Sequence, residues 1–336
     1  MGIKGLNRMI KKIVPDAIKE NCISDYNRSS IAIDSNLLLY KFRYGVDKNL
    51  KRESDNHIFG FLNRVCYYLK NGILPIFIWD GKPPHQKSFI HNKRSNHRKN
   101  IRNRIKNCEY TTDSENLRKL KKQIINVTRL HHRECKYLLK LIGIPSIVSS
   151  GEAEALCAHL QKEGHVTYTY TEDTDALTFG APLVLRKCHT KDHFTETNLS
   201  CILQGMGFSM EQFVDFCILC GCDYCPTIPK IGPSKSYNMV KRYETIENIV
   251  DVLKKTHMIP TDYIKRVEEA RIIFSNKFPE NYIEEIAKKI EIKEILYDNL
   301  KEFFITEKEY NNEDYSSLAG NIMEARRMYL YLFKLK

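Results

Sequence analysis

The 336-residue chain is 42% hydrophobic and 28% charged, and 53 lysines and arginines against 41 acids leave it at +12. That hydrophobic fraction supports a real core and excludes a disordered chain, and no apolar run approaches the roughly 18 residues that cross a bilayer. A basic balance of this size favours a polyanion partner, nucleic acid before an anionic membrane surface, over the plain alternative of a merely soluble basic protein.

The start, Met1-Gly2-Ile3-Lys4-Gly5-Leu6, lacks the apolar run of a signal peptide and has no Ser or Thr at position 6 for N-myristoylation. The 11 cysteines are odd in number and irregularly spaced. An intracellular protein with reduced thiols and no membrane partner is expected. The first strand pattern, Ile31-Ala32-Ile33, ends in Asp34 and leads into a helical segment. A periodic segment at 57–71 precedes the second, Ile73 to Trp79, which ends in Asp80-Gly81.

Residues 82–136 then change composition. Lys82, Lys87, Lys93, Arg94, Arg98, Lys99, Arg102, Arg104 and Lys106 form a dense basic run, and Arg118, Lys119, Lys121 and Lys122 follow with few acids between. This reads as an insertion of two basic helices outside the sheet. Solvated helical faces usually mix signs, whereas a single-sign face suits phosphate contact with strongly salt-dependent binding.

Periodicity returns at 128–142. Ile144 to Val148 leads into Ser149-Ser150-Gly151-Glu152, and a further periodic segment covers 153–164. Val166 to Thr171 ends in Glu172-Asp173-Thr174-Asp175, and a short strand, Leu183-Val184-Leu185, follows. After Leu199 the pattern is helical to the end, interrupted at Ile228 to Ser236. There a turn containing Gly232, between two helices, lets backbone N–H groups approach a phosphate. Strands alternating with helices predict an α/β fold: a mostly parallel central sheet flanked by helices, with the basic helical insertion and a helix–hairpin–helix region.

The acids fall just after the strands, at the edge of an open α/β sheet where ligands bind. Singly, each is as readily a helix cap or turn residue. Asp34 could cap the next helix, and Ser149 with Glu152 fits the S-x-x-E capping box. Four strand ends delivering acids to one edge are harder to explain by capping. Crowded carboxylates repel, so they are stable as anions only with cations among them, and oxygen ligands select Mg²⁺ or Mn²⁺. Two such ions roughly 4 Å apart can clamp a scissile phosphate. Glu152 and Glu154 open a helix, where i and i+2 normally diverge. Asp173 and Asp175 end a strand, where alternate residues share a face. Cys217, Cys220, Cys222 and Cys225 are spaced too tightly for a zinc ribbon or finger, so packing is expected of them.

These residues carry a family resemblance. Met1 to Leu6, Ala32-Ile33-Asp34-Ser35, Trp79-Asp80-Gly81-Lys82-Pro83-Pro84, Gly143-Ile144-Pro145 through Glu152-Ala153-Glu154-Ala155, Thr171 to Gly180, and Glu211 through Asp223 to Ile231-Gly232-Pro233 stand in the order of the flap endonucleases. The chain resembles that family, structure-specific 5′ nucleases, over about residues 1–275. The resemblance implies cleavage of DNA at single-strand/double-strand junctions by two metal ions, Mg²⁺ with Mn²⁺ as substitute, in replication and repair. Asp34, Asp80, Glu152, Glu154, Asp173, Asp175 and Asp223 match its metal-coordinating set. Lys87 and Arg94 match basic residues that contact the scissile phosphate, and Tyr40 matches an aromatic that stacks on a base near the cut. Gly2 matches an N-terminal residue near the active site. Lys93, Arg98, Lys99, Arg102 and Arg104 would line the arch through which a 5′ flap threads. Gly232 and Lys235 would hold duplex at a helix–two-turn–helix, often with K⁺.

The implied organisation is one compact nuclease domain: N-terminal region 1–81, arch 82–136, internal region 137–225, hairpin region 226–275 and C-terminal helical extension 276–336. A monomer acting on branched or flapped DNA is expected, in the nucleus or a viral replication compartment. The chain departs from the family at Lys230, where the first hairpin glycine is expected, and at Cys222, where Ser is usual. The sliding-clamp motif is not evident in Met328 to Lys336, which has no Gln in register and so counts against a clamp partner. The alternatives are a 5′ exonuclease or junction resolvase of the same family, or a non-catalytic DNA-structure-binding protein, whose signature would be lost acids.

Overall fold

The computed structural model describes residues 2–44, 53–82, 99–105, 127–188, 190, 192–275 and 277–334. Its strands are β1 (Ile18–Cys22), β2 (Ser30–Asp34), β3 (Leu74–Trp79), β4 (Ser146–Val148), β5 (Tyr168–Tyr170), β6 (Leu183–Lys187) and β7 (His193–Asn198). They form one sheet in the order β1-β7-β6-β5-β2-β3-β4. Every pairing from β6 through β5, β2 and β3 to β4 is parallel, and β7 pairs antiparallel with both β6 and β1.

The parallel part follows the sequence reading. The antiparallel edge is additional: β1, Ile-Lys-Glu-Asn-Cys, and β7, His-Phe-Thr-Glu-Thr-Asn, carry too few apolar residues to read as strands. Only β1 is at the edge, but both strands are only partly buried, and such strands tolerate polar residues, so their pattern is weak.

The helices are α1 (Leu6–Ile13), α2 (Ser35–Tyr44), α3 (Asn56–Lys70), α4 (Arg129–Leu141), α5 (Ala153–Lys162), α6 (Asp175–Thr178), α7 (Leu199–Met206), α8 (Met210–Cys220), α9 (Pro233–Tyr243), α10 (Ile246–Leu253), α11 (Tyr263–Ser275), α12 (Glu280–Ala287), α13 (Tyr297–Glu302) and α14 (Asn312–Lys334). Residues 99–105 are also helical. No helix among the described residues is long and apolar enough to cross a membrane.

The sheet is covered on both faces, which is why β2 and β3 are almost continuously apolar. Ile31, Ile33, Phe77 and Trp79 face a layer made by α2, α3 and α4, while Ala32, Ile76 and Ile78 face α5 and α12. A second core joins α1 to α7 through α11 and includes Cys217, Cys220, Cys222 and Cys225, all buried as the packing reading expects.

One boundary lies within a helix. The expected arch boundary at 136 falls inside α4, whose Cys135, Leu138 and Leu139 are buried against the sheet layer. Residues 129–136 therefore cover the sheet rather than stand outside it. The C-terminal helical extension after 276 completes a core. Leu300, Phe303, Phe304, Leu318, Ile322, Ala325 and Tyr329 are buried with α3 and α4. Their apolar residues are spread among many charged ones, which hid the face they present.

A polar knot fastens this C-terminal layer. Glu134 of α4 accepts hydrogen bonds from His57 Nε2 of α3 at 2.7 Å and from the Lys308 ammonium. Lys308 also lies 3.5 Å from Asp55, which accepts from the Tyr310 hydroxyl at 3.1 Å. Burial acts to raise the Glu134 carboxyl, but the hydrogen bonds from His57 and Lys308 outweigh it and hold it at about 2, below its ordinary 4.5. A carboxyl depressed by folding contributes stability fully above its unfolded value and loses it as pH falls towards the folded one. The difference in Tm between the wild type and Glu134→Gln is therefore expected to be largest near pH 7 and to shrink by pH 3 in thermal melts. A difference independent of pH would refute this account of the knot.

Candidate active site

The four strands β5, β2, β3 and β4 are neighbours and parallel, so their C-terminal ends open on one edge. Asp34 closes β2, Asp80 follows β3, Glu152 precedes α5 on the loop after β4, and Asp173 and Asp175 follow β5.

Asp34 is only 3% exposed. Its Oδ1 accepts from the Asn36 and Leu37 main-chain N–H groups at 3.1 and 3.4 Å, and its Oδ2 accepts from Thr171 Oγ1 at 3.1 Å. It thus does cap α2, and the capping and ligand readings coexist, because a carboxylate has about four lone-pair directions. Burial first, then the charges of Asp80 and Asp173, push its carboxyl up to about 7 against these hydrogen bonds.

Asp80 is exposed; its Oδ1 accepts from the Ala153 N–H at 2.8 Å, and its Oδ2 accepts from the Asn36 side-chain amide. Asp173 Oδ1 accepts from the Asp175 N–H at 3.1 Å, while the Asp173 N–H donates to Thr171 Oγ1 at 3.1 Å. One threonine hydroxyl therefore ties the β2 acid to the β5 acids.

Glu152 and Ser149 do not form the expected capping box. Ser149 Oγ donates to the Glu152 carbonyl, and the Glu152 carboxylate instead accepts from the Tyr224 hydroxyl. That bond anchors the loop carrying Asp223 to the start of α5. Two buried thiols register how the remaining acids gather. Burial and then Asp34, Glu154 and Asp80 raise Cys157. Burial and then Asp175, with a smaller effect from Asp223, push Cys222 up to about 12.

The N-terminus joins this edge. A Cβ on Gly2 would stand 1.9 Å from Asp173 Oδ1 and 2.8 Å from Asp175 Oδ1, and its φ is +82°. Lys4 N–H donates to the Gly221 carbonyl at 3.1 Å, and a Cβ on Gly5 would meet Pro233 at 2.8 Å. The first residues therefore run from the acids to the hairpin.

In the hairpin the left-handed position is Lys230, at φ 65°, whereas Gly232 is extended (φ −121°) and N-caps α9. The turn therefore persists despite the departure at 230, but the residue needing freedom is Lys230. The Lys235 ammonium donates to its carbonyl at 3.1 Å.

Tyr40 lies on α2, one turn from Asn36, with 47% of its surface exposed. Lys99, Arg102 and Arg104 are exposed on the helix at 99–105. Lys87, Lys93, Arg94 and Arg98 lie outside the described residues. Beside the acid edge, α4 presents Arg129, Arg133, Lys136 and Lys140 along one groove, with the Lys136 ammonium 5.3 Å from the centre of the Trp79 ring.

Among the described residues no three Asp, Glu, His or Cys side chains converge tightly enough to enclose an ion unaided. Their chemistry nonetheless fits divalent cations. The donors are all carboxylates, and one of them, Asp34, is buried at an electrostatic cost that a nearby cation would relieve. Sequence reasoning missed Asn36, Thr171, Tyr224 and His132, the groups that orient the acids. A polar side chain acting on another residue's carboxylate leaves no periodicity or motif.

Family models described as XPG N-terminal domain and XPG I-region match residues 1–101 and 143–223. Flap endonuclease 1 of Xenopus tropicalis is 39% identical over 285 residues, spanning 82% of this chain and 74% of that protein. Flap endonuclease 1 of Entamoeba dispar is 35% identical over 324 residues, spanning 93% and 85%. The solved flap endonuclease-1 from Methanococcus jannaschii superposes with a TM-score of 0.68 at 25% identity, covering 94% of this chain and 98% of that one.

Because any side chain at position 2 must displace the Asp173 and Asp175 carboxylates, Gly2→Ala is expected to weaken Mn²⁺ binding at least about tenfold by calorimetry. Its Tm should also fall, because alanine is strained at φ +82°. Unaltered ion affinity would show that Gly2 does not constrain the acids.

Proposed function

The chain belongs to the flap endonuclease family, and on that premise we propose that its acid edge is a two-ion site cutting DNA beside single-strand/double-strand junctions. The family is one of metal-dependent DNA nucleases, and the protein is a structure-specific 5′ flap nuclease. What carries the assignment to particular residues is the delivery of acids from four neighbouring parallel strands to one edge, including Asp34, a buried carboxylate beside Asp80 and Asp173.

Asp34, Asp80, Glu152, Glu154, Asp173, Asp175 and Asp223 would hold the ions, directly or through water. When bound, Mg²⁺ or Mn²⁺ supplies Lewis-acid activation of water and neutralises charge on the scissile phosphate. The protein's own groups set the geometry. Thr171, Asn36 and Tyr224 fix carboxylate orientations, so little reorganisation accompanies the reaction. Water oxygen adds to phosphorus and loses a proton as the bond to the 3′ oxygen breaks, and the departing 3′ oxygen takes up a proton from solvent, leaving 5′-phosphate and 3′-hydroxyl ends.

Tyr40, exposed one turn beyond Asn36, stacks on a base next to the cut. Lys87 and Arg94 offset charge gathering on the phosphate. The helix at 99–105 and the basic groove of α4 continue the phosphate-contacting surface. The hairpin holds duplex, where a K⁺ ion would compete with the Lys235 ammonium for the Lys230 carbonyl. This activity serves DNA replication and repair, in the nucleus or a viral replication compartment.

Asp175→Asn is expected to keep wild-type affinity for a labelled 5′ flap within a fewfold while losing cleavage by at least about a hundredfold, measured by filter binding and by gel. Undiminished cleavage would remove Asp175 from the site. Flap, nicked, blunt and four-way substrates compared in Mg²⁺ should rank the flap first. Equal cutting of all four would overturn the flap preference, and a blunt-end or four-way preference would favour the exonuclease or resolvase branch.

A further inference from the structure

Asp80 is held through a side chain that belongs to neither the acid set nor the DNA-contacting residues. Its Oδ1 accepts from the Ala153 N–H at 2.8 Å, and its Oδ2 accepts from the Asn36 side-chain amide. The other end of that amide, Asn36 Oδ1, stands 3.2 Å from His132 Nε2 on α4. His132 Nδ1 in turn stands 3.0 Å from the Thr128 carbonyl oxygen.

The donor and acceptor inventory allows one orientation. An ionised carboxylate only accepts, so the Asn36 NH₂ must face Asp80 and its oxygen must face His132. Turning the amide over would set an oxygen against the carboxylate. Both ring nitrogens of His132 then face oxygens that only accept: a ring protonated on both keeps both contacts, and a neutral ring that holds Asn36 carries its proton on Nε2 and gives up the bond to Thr128. The ring is itself seated edge-on against Trp79, with centroids 5.7 Å apart. Asn36 also gives its main-chain N–H to Asp34 Oδ1 at 3.1 Å, so this one residue touches two of the acids.

We propose that His132 and Asn36 form a relay that aims Asp80: the imidazole Nε2–H holds the Asn36 oxygen, and this fixes the amide NH₂ on the carboxylate. His132 is a positioning residue, reaching no substrate atom and acting only through Asn36. Such outer partners of metal-binding carboxylates typically change ion affinity 10- to 100-fold when removed. The relay rests on the reading of Asp80 as an ion ligand.

The test is Mn²⁺ binding to the free protein by calorimetry, with no DNA and no turnover, for the wild type, His132→Ala, His132→Gln, Asn36→Ala, the His132→Ala/Asn36→Ala double variant and Asp80→Asn. His132→Ala and Asn36→Ala should each weaken binding by about tenfold. The double variant should be no weaker than Asn36→Ala, because residues acting through one another are not additive. His132→Gln, whose side-chain amide can still donate to Asn36, should recover most of the affinity even if His132→Ala fails to fold. A purely structural role for His132 would lower Tm and would still add to the Asn36→Ala effect, and that additivity overturns the relay. Unchanged affinity in His132→Ala overturns it as well. If Asp80→Asn binds Mn²⁺ normally, the assignment of Asp80 itself fails, which is distinct from a relay that fails while Asp80→Asn loses the ion.

Discussion

Mutual repulsion among carboxylates at one sheet edge is the constraint around which this structure is arranged. Each acid raises the cost of ionising the next, and burial multiplies the effect, as the carboxyl of Asp34 shows by standing near 7. Among the described residues the protein answers with hydrogen-bond donors. Main-chain N–H groups of Asn36, Leu37, Ala153 and Asp175, the hydroxyls of Thr171 and Tyr224, and the Asn36 amide all point at these carboxylates. The N-termini of α2 and α5 lie at the same edge and favour negative charge there. Such donors satisfy some lone pairs and leave others directed outward, which a ring of lysines would not do. A residual negative field facing solvent is what a divalent ion requires.

The same economy explains the N-terminus. Gly2 lies where any Cβ would strike Asp173, Lys4 is bonded to Gly221, and Gly5 is pressed on Pro233. Three contacts within four residues stitch the acid edge to the hairpin. A short, turned segment therefore links the groups that act on a phosphate to the turn that would grip duplex, alongside the apolar core that holds Ile3, Leu6, Ile228 and Ile231 together. Two of those residues must be glycine, both for want of space and for their positive φ.

Much of this was legible in the sequence, for identifiable reasons. A strand that ends in an acid shows as an apolar run broken by one charge, so the parallel strands β2 to β5 and the acids after them could be read directly. The antiparallel strands β1 and β7 could not, because a half-exposed polar strand has no distinctive period. Gly232 drew attention as the residue of the turn, yet the left-handed conformation falls on Lys230. A lysine there holds a strained φ because its own carbonyl is tied by Lys235 and the flanking Ile228 and Ile231 are buried. Composition marks where a turn is wanted but not which residue bears its strain. The groups orienting the acids were invisible for a deeper reason. Thr171, Asn36 and Tyr224 act on residues distant in sequence, and a single polar residue carries no sign of the partner it will meet.

Helix α4 shows how segments without chemistry still bear on the site. One side of it offers a basic groove beside the acids, and His132 reaches from it to Asn36. Its apolar side is clamped between the sheet and the C-terminal helices, and Glu134 ties it to His57 and Lys308. A helix that loosened would move the Asn36 contact and so the aim of Asp80. The layer formed after residue 276 acts on the site from behind. By burying Phe303, Phe304, Leu318 and Ile322 against α3 and α4 it removes the freedom that α4 would otherwise have. A carboxylate exposed at an edge can be held to a fraction of an ångström only if the elements behind it are packed as tightly as a core.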